Sequence, residues 1–212
     1  VKVVEAADLK KRFLERLEQY YNNGKPREGL HVSDLVFCLR QSYFRKTNPK
    51  PHSLRTLQFF IDGATRHSAL QDLLGLEREV EVCKYNIIGH VDVMAGGVPV
   101  ELKTTRARNA VPDHYFRQLG YYAVLCGVCE GVLVVQRINC KDGEEPWEFY
   151  HVKWSREEVE GLKRELRHRA DLLRTALREG RPDCLPVIEE GMRWKCRWCD
   201  YVDECEKKGG VF

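Results

Sequence analysis

The chain is expected to fold as an α/β domain, a mixed sheet with helices packed on it, and three observations predict this. Long stretches of helical period alternate with short apolar runs bounded by turn residues. Three of those runs, "EREVEVCKY", "IIGHVDVMA" and "VPVELKTT", follow one another as strands. The segment "PDHYFRQLGYYAVLCG", a helix with Pro112 near its first turn, then separates them from two more strands, "GVLVVQRI" and "WEFYHVKW".

Taken in order, an N-terminal helix is expected from about Glu5 to Tyr21, ending at the turn cluster "NNGKP". A second begins at Ser33 as N-cap and continues until Asn48-Pro49 breaks it. A third covers Leu54 to Leu74 and stops at Gly75. After the strands, Ser155 and Glu158 form a capping box for a last long helix. Its residues Val159, Leu162, Leu166, Leu173 and Leu177 keep helical spacing as far as Gly180. Beyond lies a tail without clear period that carries four cysteines. The expected division is a helical region over 1–53, a core over 54–180 and a cysteine-rich tail over 181–212.

A length of 212 residues allows one substantial core with a small appended module. With 43% hydrophobic and 32% charged residues, wholesale disorder is excluded. No apolar run approaches the roughly 20 residues that span a bilayer, so no membrane partner is expected. No secretory signal is read either, and the expected compartment is the cytoplasm. The formal net charge is only +3, so any affinity for nucleic acid must come from local patches. Nine cysteines, an odd number, argue against a complete disulfide framework. Some are expected to be metal ligands and the rest small buried hydrophobes.

The stretch "GHVDVMAGGVPVELKTT" carries the chemistry. With Gly96 and Gly97 as the central residues of a two-residue turn, Asp92 faces Glu101 and His90 faces Lys103. These four then share one face, while Val91, Val93, Val100 and Leu102 anchor the other in the core. Like charges directly across a strand pair repel by up to about 1 kcal/mol, and such an arrangement asks for a cation. Mg²⁺ or Mn²⁺, hard ions bound by carboxylate oxygens, suit it. A lysine alongside can activate a bound water and stabilise developing negative charge. The alternative is an exposed hairpin whose carboxylates are solvated or paired with Lys103 and Arg106.

An Asp on one strand and Glu-x-Lys on the next, here Asp92 and Glu101-Leu102-Lys103, resemble the PD-(D/E)xK nuclease superfamily. Gly63-x-x-x-His67 upstream and Gln118-x-x-x-Tyr122 downstream are similar to its RecB-type branch. Gln118 and Tyr122, four apart, share a helix face. His67 lies on an apolar stripe where a hydrogen-bonded core histidine is the alternative reading. A single early cysteine, Cys38, and a late C-x2-C-x5-C of Cys196, Cys199 and Cys205 closely resemble the CRISPR-associated Cas-four nucleases. They are similar, too, to the nuclease domains of AddB-type and eukaryotic Dna-two-type proteins.

The resemblance, which runs from about Ser33 to Cys205, implies a restriction-endonuclease-like mixed sheet flanked by helices. It also implies an iron–sulfur module, [4Fe–4S] or [2Fe–2S], held by Cys38, Cys196, Cys199 and Cys205 between an N-terminal helix and the tail. Four thiolates suit a structural Zn²⁺ as well. In this reading His67, Asp92 and Glu101, with the backbone carbonyl of Leu102, bind Mn²⁺ or Mg²⁺; Lys103 activates water; Gln118 and Tyr122 orient the lysine or the phosphate. The implied activity is exonuclease action on single-stranded DNA, 5′ to 3′, preparing ends for CRISPR spacer acquisition with the CRISPR integrase and its companion subunits as partners. The rival readings are a non-catalytic iron–sulfur protein that binds DNA or senses redox state, and a structure-specific endonuclease.

"MRWKCRWC" interleaves Arg193, Trp194, Lys195, Arg197 and Trp198, a mixture that suits phosphate contacts with base stacking or, alternatively, tryptophans packed around the cysteines. Arg106 and Arg108 follow Lys103 and are expected near phosphates, and Arg40, Arg45 and Lys46 are expected in the same groove. Cys126 and Cys129 read as buried free thiols, with a redox pair or half of a zinc site as the alternative. Cys83 and Cys140 read as structural.

Overall fold

The computed structural model describes residues 6–21, 27–106 and 110–209. In chain order these form α1 (Ala7–Tyr21), β1 (Leu30–His31), α2 (Val32–Val36), α3 (Leu39–Thr47) and α4 (Leu54–Leu74). Then come β2 (Glu77–Lys84), β3 (Ile87–Ala95), β4 (Val98–Thr105), α5 (Asp113–Cys126), β5 (Glu130–Arg137), β6 (Trp147–Lys153) and α6 (Arg156–Glu179). The tail holds two 3-10 turns, Pro182–Cys184 and Glu190–Trp198, and α7 (Val202–Lys207). The result is a mixed sheet flanked by helices, as its patterns predict. Among the described residues no helix is long and apolar enough to cross a membrane.

The long helices end where local chemistry says they should. The Ser155 hydroxyl accepts the Glu158 N–H at 3.2 Å while the Glu158 carboxylate accepts the Ser155 N–H at 2.7 Å, closing the capping box of α6. Gly75 and Gly180 end α4 and α6 in the left-handed region, with φ of 62° and 67°.

The helix expected from Ser33 is in fact two, broken at Phe37-Cys38, and α2 begins at Val32. Asp34 accepts the His31 N–H at 3.0 Å, so the cap is not built on Ser33. The break is stabilised from outside: Arg169 on α6 donates to the carbonyls of Leu35 and Phe37. Carbonyls satisfied this way have no need of a continuing helix. The two-residue β1 was not expected either, since it is too short to show a period. It exists because it pairs in parallel with β3, Leu30 to Ile87 and His31 to Ile88.

The sheet runs β1-β3-β4-β5-β6, with β2 along the other edge of β3. On their shared edge of β3, β1 takes Ile87 and Ile88 while β4 takes Val93, Met94 and Ala95. From Val100 onward β4 follows β5 in parallel. A fork therefore opens between β3 and β4 at Asp92. Val100 and Leu102 of β4 pack with Val93, Val134 and Leu70 of α4. Glu101 and Lys103 point the other way, beside Leu133 and Val135 in register, toward α5. Helix α5 lies close on the strands because two glycines leave room. A Cβ at Gly89 would stand 3.0 Å from the Tyr122 ring, and one at Gly131 would stand 2.8 Å from Leu119.

Arg40 of α3 holds the tail. It is buried and donates to the carbonyls of Leu185 and Lys208, each at 3.0 Å. It is thus not a groove residue, contrary to expectation. Lys46 is also engaged internally, with Asp34 at 2.9 Å and the Gly29 carbonyl at 2.8 Å. Replacing Arg40 by leucine leaves the buried Leu185 carbonyl and the partly buried Lys208 carbonyl without this donor and is expected to cost about 2–3 kcal/mol. In limited proteolysis the tail beyond Gly180 should then be cut while the sheet survives; uniform resistance would show that the tail is held elsewhere.

Candidate active site

The fork brings the expected residues together. Asp92 leaves the strand ladder and its Oδ2 accepts the Leu102 N–H at 2.8 Å, a carboxylate replacing a strand neighbour. From α4, His67 Nδ1 lies 3.7 Å from Asp92 Oδ1. Glu101 Oε1 is paired with the Lys103 ammonium. Lys103 donates to Gln118 Oε1 at 3.1 Å, and the Gln118 amide donates to the Tyr122 hydroxyl at 3.1 Å. That last bond orients the amide so that its oxygen faces the lysine.

Burial sets the electrostatics. Glu101 is 1% exposed, and desolvation, with Asp92 adding to it, pushes its carboxyl up to about 7 against the opposing pull of Lys103. Burial works against the charge on Lys103 as well, but Glu101 and Asp92 outweigh it and hold the ammonium on. The neighbouring Asp92 carboxylate raises His67. Tyr122 is held well above the usual phenol range by burial and by Glu101. The second oxygen of Glu101, Oε2, is buried without any hydrogen-bond partner. An acceptor left like this beside Asp92 and His67 suits a divalent cation. Among the described residues no three His, Cys, Asp or Glu side chains already converge tightly enough to grip an ion. The reason is visible: each carboxylate has turned one oxygen onto a protein donor.

Two neighbours were missed. Gln71 donates to the Asp92 carbonyl at 2.8 Å and to Glu79 at 2.7 Å, so α4 grips Asp92 twice. Its position four residues after His67 was the available signal. Tyr115, three residues before Gln118, presents its ring 5.5 Å from the Lys103 nitrogen. His90, expected on the same face as the carboxylates, instead stacks on His31 at 5.4 Å. A Cβ at Gly63 would meet nothing within 4 Å, so that glycine leaves α4 bare one turn before His67.

The four cysteines of the motif also meet. Cys38, at the start of α3, lines one cavity with Cys196, Cys199 and Cys205, among Phe44, Ile188 and Val202. Burial pushes the thiols of Cys38, Cys196 and Cys199 up, and their neighbours in the cavity add to this. Thiolates so placed need a positive centre, which fits a metal or cluster. Cys83 and Cys129 are exposed rather than buried, Cys83 because β2 lies at the sheet edge. Cys126 packs against the core.

Of the residues expected at phosphates, Arg106, Arg193 and Arg197 are exposed, and Arg108 lies outside the described residues. Trp194 and Trp198 are 54% and 70% exposed and do not wrap the cysteine cavity. Lys195 reaches inward, 3.1 Å from the centre of the Phe37 ring, and burial and Lys103 together lower it to about 8.

The raised Glu101 gives a signed prediction. An unfolded carboxyl titrates at 4.5 and the folded one at about 7, so the fold holds this proton more tightly. Relative stability is full below 4.5 and is lost as pH rises through about 7, by ~3 kcal/mol. His67, also raised, acts in the same direction. Urea melts of metal-free protein across this range should show the loss, and Glu101→Gln should flatten it. A midpoint that does not move with pH would place Glu101 in solvent.

No protein-family model matches the chain, and no curated protein matches it. Solved structures do. The crystal structure of SSO0001 is similar at a TM-score of 0.65 and 19% identity, over 94% of this chain and 96% of that one. The alkaline exonuclease LHK-Exo from Laribacter hongkongensis is similar at a TM-score of 0.50 and 8% identity, over 78% of this chain and 95% of its own. LHK-Exo in complex with dAMP gives a TM-score of 0.50 at 12% identity, over 72% and 91%. At such identities the likeness is one of fold: this chain shares its mixed α/β architecture with SSO0001 and with an exonuclease.

Proposed function

We propose that the protein is a metal-dependent deoxyribonuclease with a restriction-endonuclease-like core, hydrolysing single-stranded DNA from an end. The observation that carries this is Glu101, a buried carboxylate with one oxygen on Lys103 and the other unpartnered, held beside Asp92 at the fork. The fold shared with an alkaline exonuclease supports it.

His67, Asp92 and Glu101, with the Leu102 carbonyl, would hold Mn²⁺ or Mg²⁺, which supplies Lewis acidity and an activated water. Lys103 keeps its proton here, so it acts as a donor: it offsets negative charge gathering on the phosphoryl oxygens. Gln118 and Tyr122 fix its direction. Bare helix at Gly63 leaves space for a sugar–phosphate backbone. Lys195 and the exposed Trp194, Trp198, Arg193 and Arg197 extend the substrate surface onto the tail.

Cys38, Cys196, Cys199 and Cys205 would hold an iron–sulfur cluster, which ties the tail to α3. Four thiols lining one cavity supply the donor set that such a cluster takes. By the resemblance drawn from the motifs, attack proceeds 5′ to 3′ and prepares ends for CRISPR spacer acquisition, with the integrase and its companion subunits as partners.

End-labelled single-stranded DNA with Mn²⁺ tests the reading. Wild type should degrade it, and Lys103→Ala should bind it but cut at least ~100-fold more slowly. If both proteins bind and neither cuts, the chain is a non-catalytic DNA-binding protein; cutting of closed circles would make it an endonuclease. Cys196→Ala should loosen the tail and weaken DNA binding while Mn²⁺ still binds the carboxylates. Equal loss of Mn²⁺ binding would contradict that separation.

A further inference from the structure

A row of alternating cations and aromatic rings leads from the hairpin to the cysteine tail, and no bond-breaking step needs it. Arg106 follows Lys103 by three residues and lays its guanidinium over the Phe59 ring of α4, 5.4 Å from the centroid. Arg55, one turn earlier on α4, stands 6.0 Å from the same ring and 5.4 Å from the Trp198 ring in the tail. Phe59 is 46% exposed and Trp198 70%. Both arginines are exposed, and among the described residues neither has an ion-pair partner.

Two large rings left in water, with the unneutralised guanidinium of Arg55 between them and that of Arg106 on the first, do not stabilise a core. Their chemistry matches one ligand class. A single nucleic-acid strand offers unpaired base faces, which stack on aromatic rings, and regularly spaced phosphates, which take guanidinium N–H groups. A duplex hides its base faces and could use only the cations. The row also starts beside the fork, so a strand lying on it is delivered to Glu101 and Lys103.

We propose that Phe59, Arg55, Arg106 and Trp198 form a stacking track for unpaired bases, and that this track makes single strands the preferred substrate. The proposal rests on the hydrolytic reading of the hairpin for its purpose, but not for its binding. Phe59 is the decisive residue, because it is exposed and far in sequence from every cysteine.

Fluorescence polarisation with a labelled oligothymidylate of about 12 nucleotides, in EDTA so that nothing is cut, tests the track. Phe59→Ala should weaken binding about tenfold, a loss within the range for one stacked base, and Phe59→Trp should retain it. An abasic oligomer of the same length, which loses stacking on Trp198 as well, should bind wild type at least as weakly as oligothymidylate binds Phe59→Ala. Binding of Phe59→Ala within about twofold of wild type, or equal binding of the abasic oligomer, overturns the proposal. In parallel, Mn²⁺-dependent hydrolysis of bis-p-nitrophenyl phosphate, too small to reach the track, should be unchanged in Phe59→Ala and lost in Lys103→Ala. Hydrolysis with a flat binding series sinks the track alone. The expected binding series without hydrolysis sinks the catalytic reading and leaves the track standing.

Discussion

Placing the carboxylate of Glu101 at 1% exposure in the middle of a sheet is the constraint on which the rest of the site depends. A lone ionised carboxylate there would be untenable, so a partner must be held within reach. Lys103, two residues on and therefore on the same face, supplies it. The pair stays dry because α5 covers it, and α5 can settle so low only because Gly89 and Gly131 have no side chains. The same helix then presents Tyr115, Gln118 and Tyr122 to the lysine from one face.

The second arrangement joins the two ends of the chain. A buried arginine is costly unless its donors are satisfied, and Arg40 spends them on tail carbonyls more than 140 residues away. This brings Cys205 to within 4.0 Å of its guanidinium and onto the cavity that Cys38 lines. Lys195, one residue before Cys196, lies over Phe37, one residue before Cys38. Burial, and after it Lys103, lowers the pKa of Lys195, and burial with these two cations pushes His114 down to about 4. The cysteine tail and the hairpin thus share an electrostatic field.

Much of this was legible beforehand because it depends on interactions between near neighbours. The hairpin is the clearest case. Gly96 and Gly97 turn with φ of 58° and 87°, and Val93 faces Val100 as a two-residue turn requires. Extending that register predicted that Asp92 and Glu101 would meet, and they do, but not as a continued ladder. The strands part, and a side chain replaces the backbone bond. The fork comes from β1 and β5 drawing β3 and β4 in different directions, which no short stretch encodes.

By itself, then, the sequence determined the long helices with their caps, the strands, the turn, and which residues of β4 face apart. Period, capping and turn geometry act over three to four residues and leave their mark in the order of the letters. Only the tertiary structure decided that Glu101 is dry, that Gln71 grips Asp92, and that Arg40 faces inward while Arg55 and Arg106 remain in solvent. It alone brought the rings of Phe59 and Trp198 to one arginine, Arg55. Those outcomes depend on which surfaces meet across 21 to 168 residues of chain. Burial, and with it the cost and direction of every charge, exists only once they have met.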